Sequence, residues 1–153
     1  MTRLDDTDLR LLDALQRDGS ATSEALGRRL GLSASQAGRR RARLEAAGVI
    51  RGYGARLDAR ALGLSVQAFV EVQMAVHEPG AAKGFARLVE LQREVVAAWT
   101  LTGEADYLLR VRCADLAALN RLIHEVLLPH PAVARVQSQI VMAELKADAP
   151  LPV

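Results

Sequence analysis

Apolar positions in the first fifty residues recur at helical spacing, and beyond residue 60 they change to alternation, so the period itself divides the chain. Leu9, Leu12 and Leu15 share one side of a predicted helix that starts at Asp5 or Asp6, carries acids in its first turn and ends near Asp18, ahead of Gly19. A second, short helix is predicted from Thr22 or Ser23 to Gly31, with Ala25, Leu26 and Leu30 inward. A third opens at Ser33, whose spacing to Gln36 permits a reciprocal capping box. It runs to Ala47, and Gly48 then suits the left-handed backbone that follows a helix.

Arg51 to Leu57 reads as an extended connector with two glycines, and period-2 alternation begins near Ser65. The order from there is strand (65–76), helix (80–91), strand (94–102), strand (106–113), helix (115–127), strand (133–145), which is the βαββαβ ferredoxin-like arrangement. The expected fold is therefore α+β: a helix-turn-helix domain of winged-helix-like type with its connector over residues 1–60, then a ferredoxin-like domain over 61–153. Val66, Ala68, Val70, Val72 and Met74, with Tyr107, Leu109, Val111 and Cys113, line one sheet face. Two helices cover only one face. The other mixes Phe69 and Leu108 with polar groups and suits contact with another subunit.

Composition adds limits. Half the residues are hydrophobic and a quarter charged, enough for a packed core. No apolar run approaches the roughly 18–20 residues of a membrane span, and residues 1–8 are polar and acidic, unlike a signal peptide, so a cytoplasmic protein without membrane contact is expected. Cys113 is the single cysteine, which excludes an internal disulfide and a thiolate zinc cluster, and its place in the alternation suggests inert core packing. His77, His124 and His130 show no H-x-x-x-H spacing, so catalysis, a metal and a cofactor are not expected. Residues 1–60 hold 12 Arg and 8 acids, or 12 − 8 = +4, whereas residues 61–153 hold 8 bases and 10 acids, or −2. This asymmetry fits a nucleic-acid module fused to another domain, and also a solvated arginine-rich face.

Two short helices joined by a Gly-Leu-Ser turn and supported by a preceding helix form a tri-helical helix-turn-helix. Guanine N7 and O6 accept from Arg in the major groove, and phosphates accept from Arg, Ser and backbone amides. Ser33, Ser35, Gln36, Arg39, Arg40 and Arg43 on the third helix meet that need, the plainer reading being a helical bundle with a basic face.

Leu4 to Gly54, with its LDxxD, LQxDG, GLS and RLExxGVIxGY blocks, resembles the N-terminal half of Lrp/AsnC transcription regulators. Ala68–Val72 and the Thr102–Leu109 segment resemble that family's effector-binding and oligomerisation domain, so the likeness covers nearly the whole chain to Lys146. It implies double-stranded DNA and a small-molecule effector, typically an amino acid, as partners, and dimers that associate into tetramers or octamers. The effector would lie between dimers at the turn Thr102, Gly103, Glu104, Asp106, Tyr107, with Ser138 where the family often has threonine. Turn amides and the Thr102 hydroxyl suit a carboxylate and Asp106 suits an ammonium, although Gly and Asp also make ordinary hairpin turns. Two departures fall in the third helix. Gly38, costing about 1 kcal/mol against Ala, either admits close approach to DNA or is tolerated. Arg41 replaces an aliphatic residue and Ala37 a valine, which puts that helix's packing and its base-contacting set in question. The rival readings are a sirohaem-type tetrapyrrole decarboxylase on the same fold and an effector-independent DNA-organising protein.

Overall fold

The computed structural model describes residues 3–75 and 78–153, so His77 and the expected end of the first strand at residue 76 lie outside the described residues. The chain forms two compact units: residues up to Arg56 together with 145–153, and residues 57–144.

The first unit is built on three helices, α1 (Asp6–Arg17), α2 (Ser23–Leu30) and α3 (Ala34–Ala46). Their ends are set by side chains that occupy the orphan amides of the first turn. The Asp8 amide donates to Asp5 Oδ1 at 2.8 Å and the Asp5 amide to Asp8 Oδ2 at 3.1 Å. Thr22 Oγ1 accepts from the Ala25 amide, and Ser33 and Gln36 close the expected box at 3.2 and 2.9 Å. Gly31 and Gly48 both have φ near +70°, which a side chain disfavours, and they end α2 and α3. Leu11, Leu12, Ala14, Leu15, Leu26, Leu30, Ala37 and Leu44 make the core. Leu9 is only half-buried and Leu11 is fully inside, so α1 is rotated from the Leu9–Leu12–Leu15 face; Asp8 takes the inward place in the preceding turn.

The second unit is an antiparallel sheet of β1 (Val66–Met74), β2 (Val95–Thr100), β3 (Tyr107–Cys113) and β4 (Val133–Ile140), in the order β2-β3-β1-β4. α4 (Pro79–Glu90) and α5 (Leu116–Arg121) cover one face. Ala68, Val70, Val72, Leu109, Val111 and Cys113 point into that core against Phe85, Val89, Leu119 and Leu122. Phe85 packs 4.7 Å from the Tyr107 ring and edge-on to His130 at 5.6 Å. Burial holds the Cys113 thiol above its ordinary value, so it stays an unreactive core group. Two elements differ from expectation. The helix expected to reach 127 changes after Arg121 to a π-helical turn, Leu122–Leu127, closed by the Leu128 amide on the Ile123 carbonyl at 2.9 Å. β4 stops at Ile140, not 145; positions 143–145 would fall opposite residues 65–63, before β1 begins. Ala68 faces Ile140, and the Val141 amide makes one more bond, to the Gln67 carbonyl at the start of β1.

Candidate functional site

α3 presents two faces with different work. Inward, Ala37 and Leu44 are fully buried and fix the helix on the core. Arg41, between them on that side, carries its charge out of the core. Its Nη1 donates to the Ala21 carbonyl at 3.1 Å, its Nε to Glu45 at 2.9 Å, and its guanidinium lies 4.6 Å from the centre of the Tyr53 ring. Tyr53 OH donates to the same Glu45 oxygen. Arg41 thus replaces apolar packing with a clasp on the connector, and the helix stays regular around it. Gly38 faces α2: a Cβ there would stand 3.1 Å from Ser23 Oγ, so the close approach it admits is to Ser23.

Arg40 and Arg43 converge on Asp8, which has no exposed surface. Arg40 Nη1 donates to Asp8 Oδ1 at 2.8 Å and to Asp5 Oδ2 at 2.7 Å, and Arg43 Nη2 donates to Asp8 Oδ2. Burial pushes the Asp8 carboxyl up, but the Asp5 amide and the two guanidinium groups together outweigh it and hold it below the ordinary 3.8. Arg40 likewise keeps Asp5 depressed, through its hydrogen bond first and the Asp8 amide second. Of the six residues singled out on α3, these two therefore bind α3 to α1, Arg40 at 30% side-chain exposure and Arg43 at 48%.

Four remain. Ser33 forms the cap, and Gln36 Oε1 receives its amide, leaving the Gln36 Nε2 donors without a protein partner among the described residues. Ser35 is exposed on the first turn. Arg39 is exposed and makes no hydrogen bond or ion pair among the described residues, unlike its three neighbours Arg40, Arg41 and Arg43. The outward face is thus a row of neutral donors leading to one unpaired guanidinium. Asp8 as the hub escaped the sequence reading. The available signal was its heptad place: an aspartate one turn before Leu11 and Leu12 falls on the buried side.

In the second unit, the turn between β2 and β3 exposes Thr102, Gly103 and Glu104, with Gly103 at φ +123°. Asp106 is engaged there by neighbouring backbone. Its Oδ2 accepts from the Met74 amide at 2.7 Å, its own amide donates to the Val72 carbonyl, and its carbonyl accepts from Leu101. Tyr107 turns its ring to Phe85 on the helix-covered side. Ser138 pairs with Val70 and so shares that covered side, since directly opposed residues of an antiparallel pair lie on one face. A small cleft opens on the other face, lined by Glu71, Gln73, Glu104, Ala105, Arg135 and Gln137, with about 40 Å³ of free volume, room for a few waters. The structure therefore gathers Thr102, Gly103 and Glu104 and sets Tyr107 and Ser138 apart from them. Arg135 and Glu71, missed in the sequence, complete opposite charges beside Glu104. His130 is engaged elsewhere, its Nδ1 accepting from the Ala132 amide at 3.3 Å.

Two family models match the chain: the AsnC-type helix-turn-helix domain over residues 4–45 and the Lrp/AsnC ligand binding domain over residues 67–151. Among curated relatives, the glutamate uptake regulatory protein of Zymomonas mobilis is 35% identical over 150 residues, covering 98% of this chain and 91% of its own. The leucine-responsive regulatory protein of Escherichia coli is 35% identical over 143 residues, covering 94% and 87%. Among solved structures, a transcriptional regulator of Neisseria meningitidis in complex with L-Met is similar with a TM-score of 0.94 at 37% identity, covering 98% of this chain and 97% of that one. An AsnC family transcriptional regulator of Agrobacterium tumefaciens follows at 0.91 and 32%, covering 97% of each.

Proposed function

Because the chain belongs to the Lrp/AsnC family of transcription regulators, we propose that α3 enters the major groove of double-stranded DNA with Ser35, Gln36 and Arg39 as its readers, and that assembly of copies completes an amino-acid site at the Thr102–Glu104 turn. The observation that carries the first part is the division of labour among the arginines of α3. Arg40, Arg41 and Arg43 are held by carboxylates, whereas Arg39 projects without a partner among the described residues from a helix whose other face is anchored. A guanidinium held ready on a rigid element is what bidentate contact to guanine requires. Ser33 and the first-turn amides of α3 suit a phosphate, with Arg43, half-exposed, at the margin of the same surface.

For the effector, the small cleft is too narrow for an amino acid within one copy, so the site needs a second copy to wall it. Turn amides and the Thr102 hydroxyl, with Arg135, address a carboxylate, and Glu104 and Glu71 address an ammonium. The complex of the Neisseria relative with L-Met supports this class of ligand. The open sheet face, with Phe69, Leu108 and Trp99 among polar groups, supports a homo-oligomer, dimeric at least and tetrameric or octameric by kinship.

The test is Arg39→Ala titrated against operator DNA and its single-base variants at several salt concentrations. A base-reading Arg39 loses about 1–3 kcal/mol and the preference at one position. A phosphate contact weakens every sequence alike and lowers the salt slope by about one. Unchanged binding removes Arg39 from the interface.

A further inference from the structure

The residues from Leu145 return to the helix-turn-helix unit, where the Gln16 side chain pairs with their backbone. Gln16 Oε1 accepts from the Leu151 amide at 2.6 Å, and Gln16 Nε2 donates to the Leu151 carbonyl at 3.1 Å. One carboxamide thus satisfies both backbone groups of one residue, the reciprocal pattern of a β-bridge made with a side chain in place of the second strand. Apolar packing does not explain the contact, because Leu151 and Val153 remain 72% and 55% exposed. The local sequence Ala-Pro-Leu-Pro-Val does explain it. Pro150 fixes its own φ, Pro152 restricts Leu151 to extended backbone, and neither proline has an amide, so Leu151 presents the only donor of that tripeptide in a conformation already ordered. Gln16 is itself held in place, following the buried Leu15 near the end of α1. Beside it, Ala149 and Pro150 line an open groove with Gly19, Tyr53 and Arg56.

We propose that residues 147–153 are a strap bound by the helix-turn-helix unit, and that this face of α1 is an interaction surface for an extended, proline-flanked backbone, read by Gln16 without regard to side chain. The chain leaves the first unit at Arg56 and returns to it at Leu145.

The experiment follows the Leu151 amide by hydrogen exchange in the full chain, with no DNA or effector present, so its outcome is independent of the DNA reading. Wild type is expected to protect this amide about tenfold or more over Gln16→Ala, the scale of two net hydrogen bonds. Gln16→Glu, which keeps the acceptor and loses the donor, should fall between. Leu151→Ala should keep the protection, because the contact is to backbone. Amides in the middle of α1 should exchange equally in all four proteins, showing an intact helix. Exchange of Leu151 at the unprotected rate in wild type overturns the strap, as does equal protection in Gln16→Ala. Protection lost in Leu151→Ala overturns the backbone reading.

Discussion

Replacing Asp8 with Asn keeps the shape of the side chain but leaves Arg40 and Arg43 facing a neutral group in a place without solvent. Removing one partner of a buried ion pair costs about 3–5 kcal/mol, and because both guanidinium groups stay partly exposed the expected loss for Asp8→Asn is about 2–3 kcal/mol, measured by denaturant unfolding. The same cluster sets a pH dependence. Asp5 and Asp8 are depressed in the folded chain, and a depressed carboxyl adds stability that is complete above its unfolded value, about 3.9, and is lost as pH falls through the folded one. The first unit should therefore weaken on acidification below about pH 4–5, and Asp8→Asn should flatten that acid limb in a melting series. An acid limb equally steep in the variant would place the sensitivity elsewhere. The residue scale is also where the sequence was least legible. That α3 carried an arginine-rich donor face could be read from spacing, but not which arginines were already engaged. Arg39 and Arg40 are adjacent and chemically identical, and only the approach of α1 separates them, a tertiary fact that no local pattern encodes.

At the scale of elements, the turn between α2 and α3 is closed by a contact the sequence did not advertise. A Cβ on Gly27 would lie 2.7 Å from the Leu32 carbonyl and 3.2 Å from the Ala34 amide, both backbone atoms that cannot rotate aside. Ala is intrinsically the better helix former by about 1 kcal/mol, yet Gly27→Ala should destabilise by about 1–3 kcal/mol, the cost of overpacking, and should lower DNA affinity by displacing the start of α3. A variant as stable as wild type would mean that the turn relaxes freely. The Ser33 cap and the glycines Gly31 and Gly48 were legible, and the caps of α1 and α2 to within one residue, Asp5 or Asp6 and Thr22 or Ser23, since all act through bonds within a few residues. The succession of strands and helices along the chain was legible from period and connection. The end of β4 and the π-helical turn after Arg121 were not, because the first depends on where β1 begins and the second on which of several leucines the core admits.

At the scale of the whole molecule, both proposed sites need more than one copy: two helix-turn-helix units for a two-fold operator, and a second wall for the effector. Light scattering at micromolar concentration should show at least a dimer, and a monomer would sink the effector site with it. Calorimetry with the twenty amino acids should find one or more that bind the assembled chain and lose most of their affinity to Glu104→Gln, whereas Asp106→Ala should also destabilise the turn by removing the acceptor of the Met74 amide. By reciprocity, an amino acid that shifts the oligomer distribution must itself bind the two assemblies unequally.

The convergence of Arg40 and Arg43 on one buried carboxylate also bears on redesign. A programme to retarget this regulator by grafting a third helix that lacks arginine at position 40 or 43 would leave Asp8 short of its counter-charges and cost the domain stability before any operator was tested. A library confined to Ser35, Gln36 and Arg39, with Asp8, Arg40 and Arg43 held constant, explores the outward surface while keeping the domain's internal electrostatics whole.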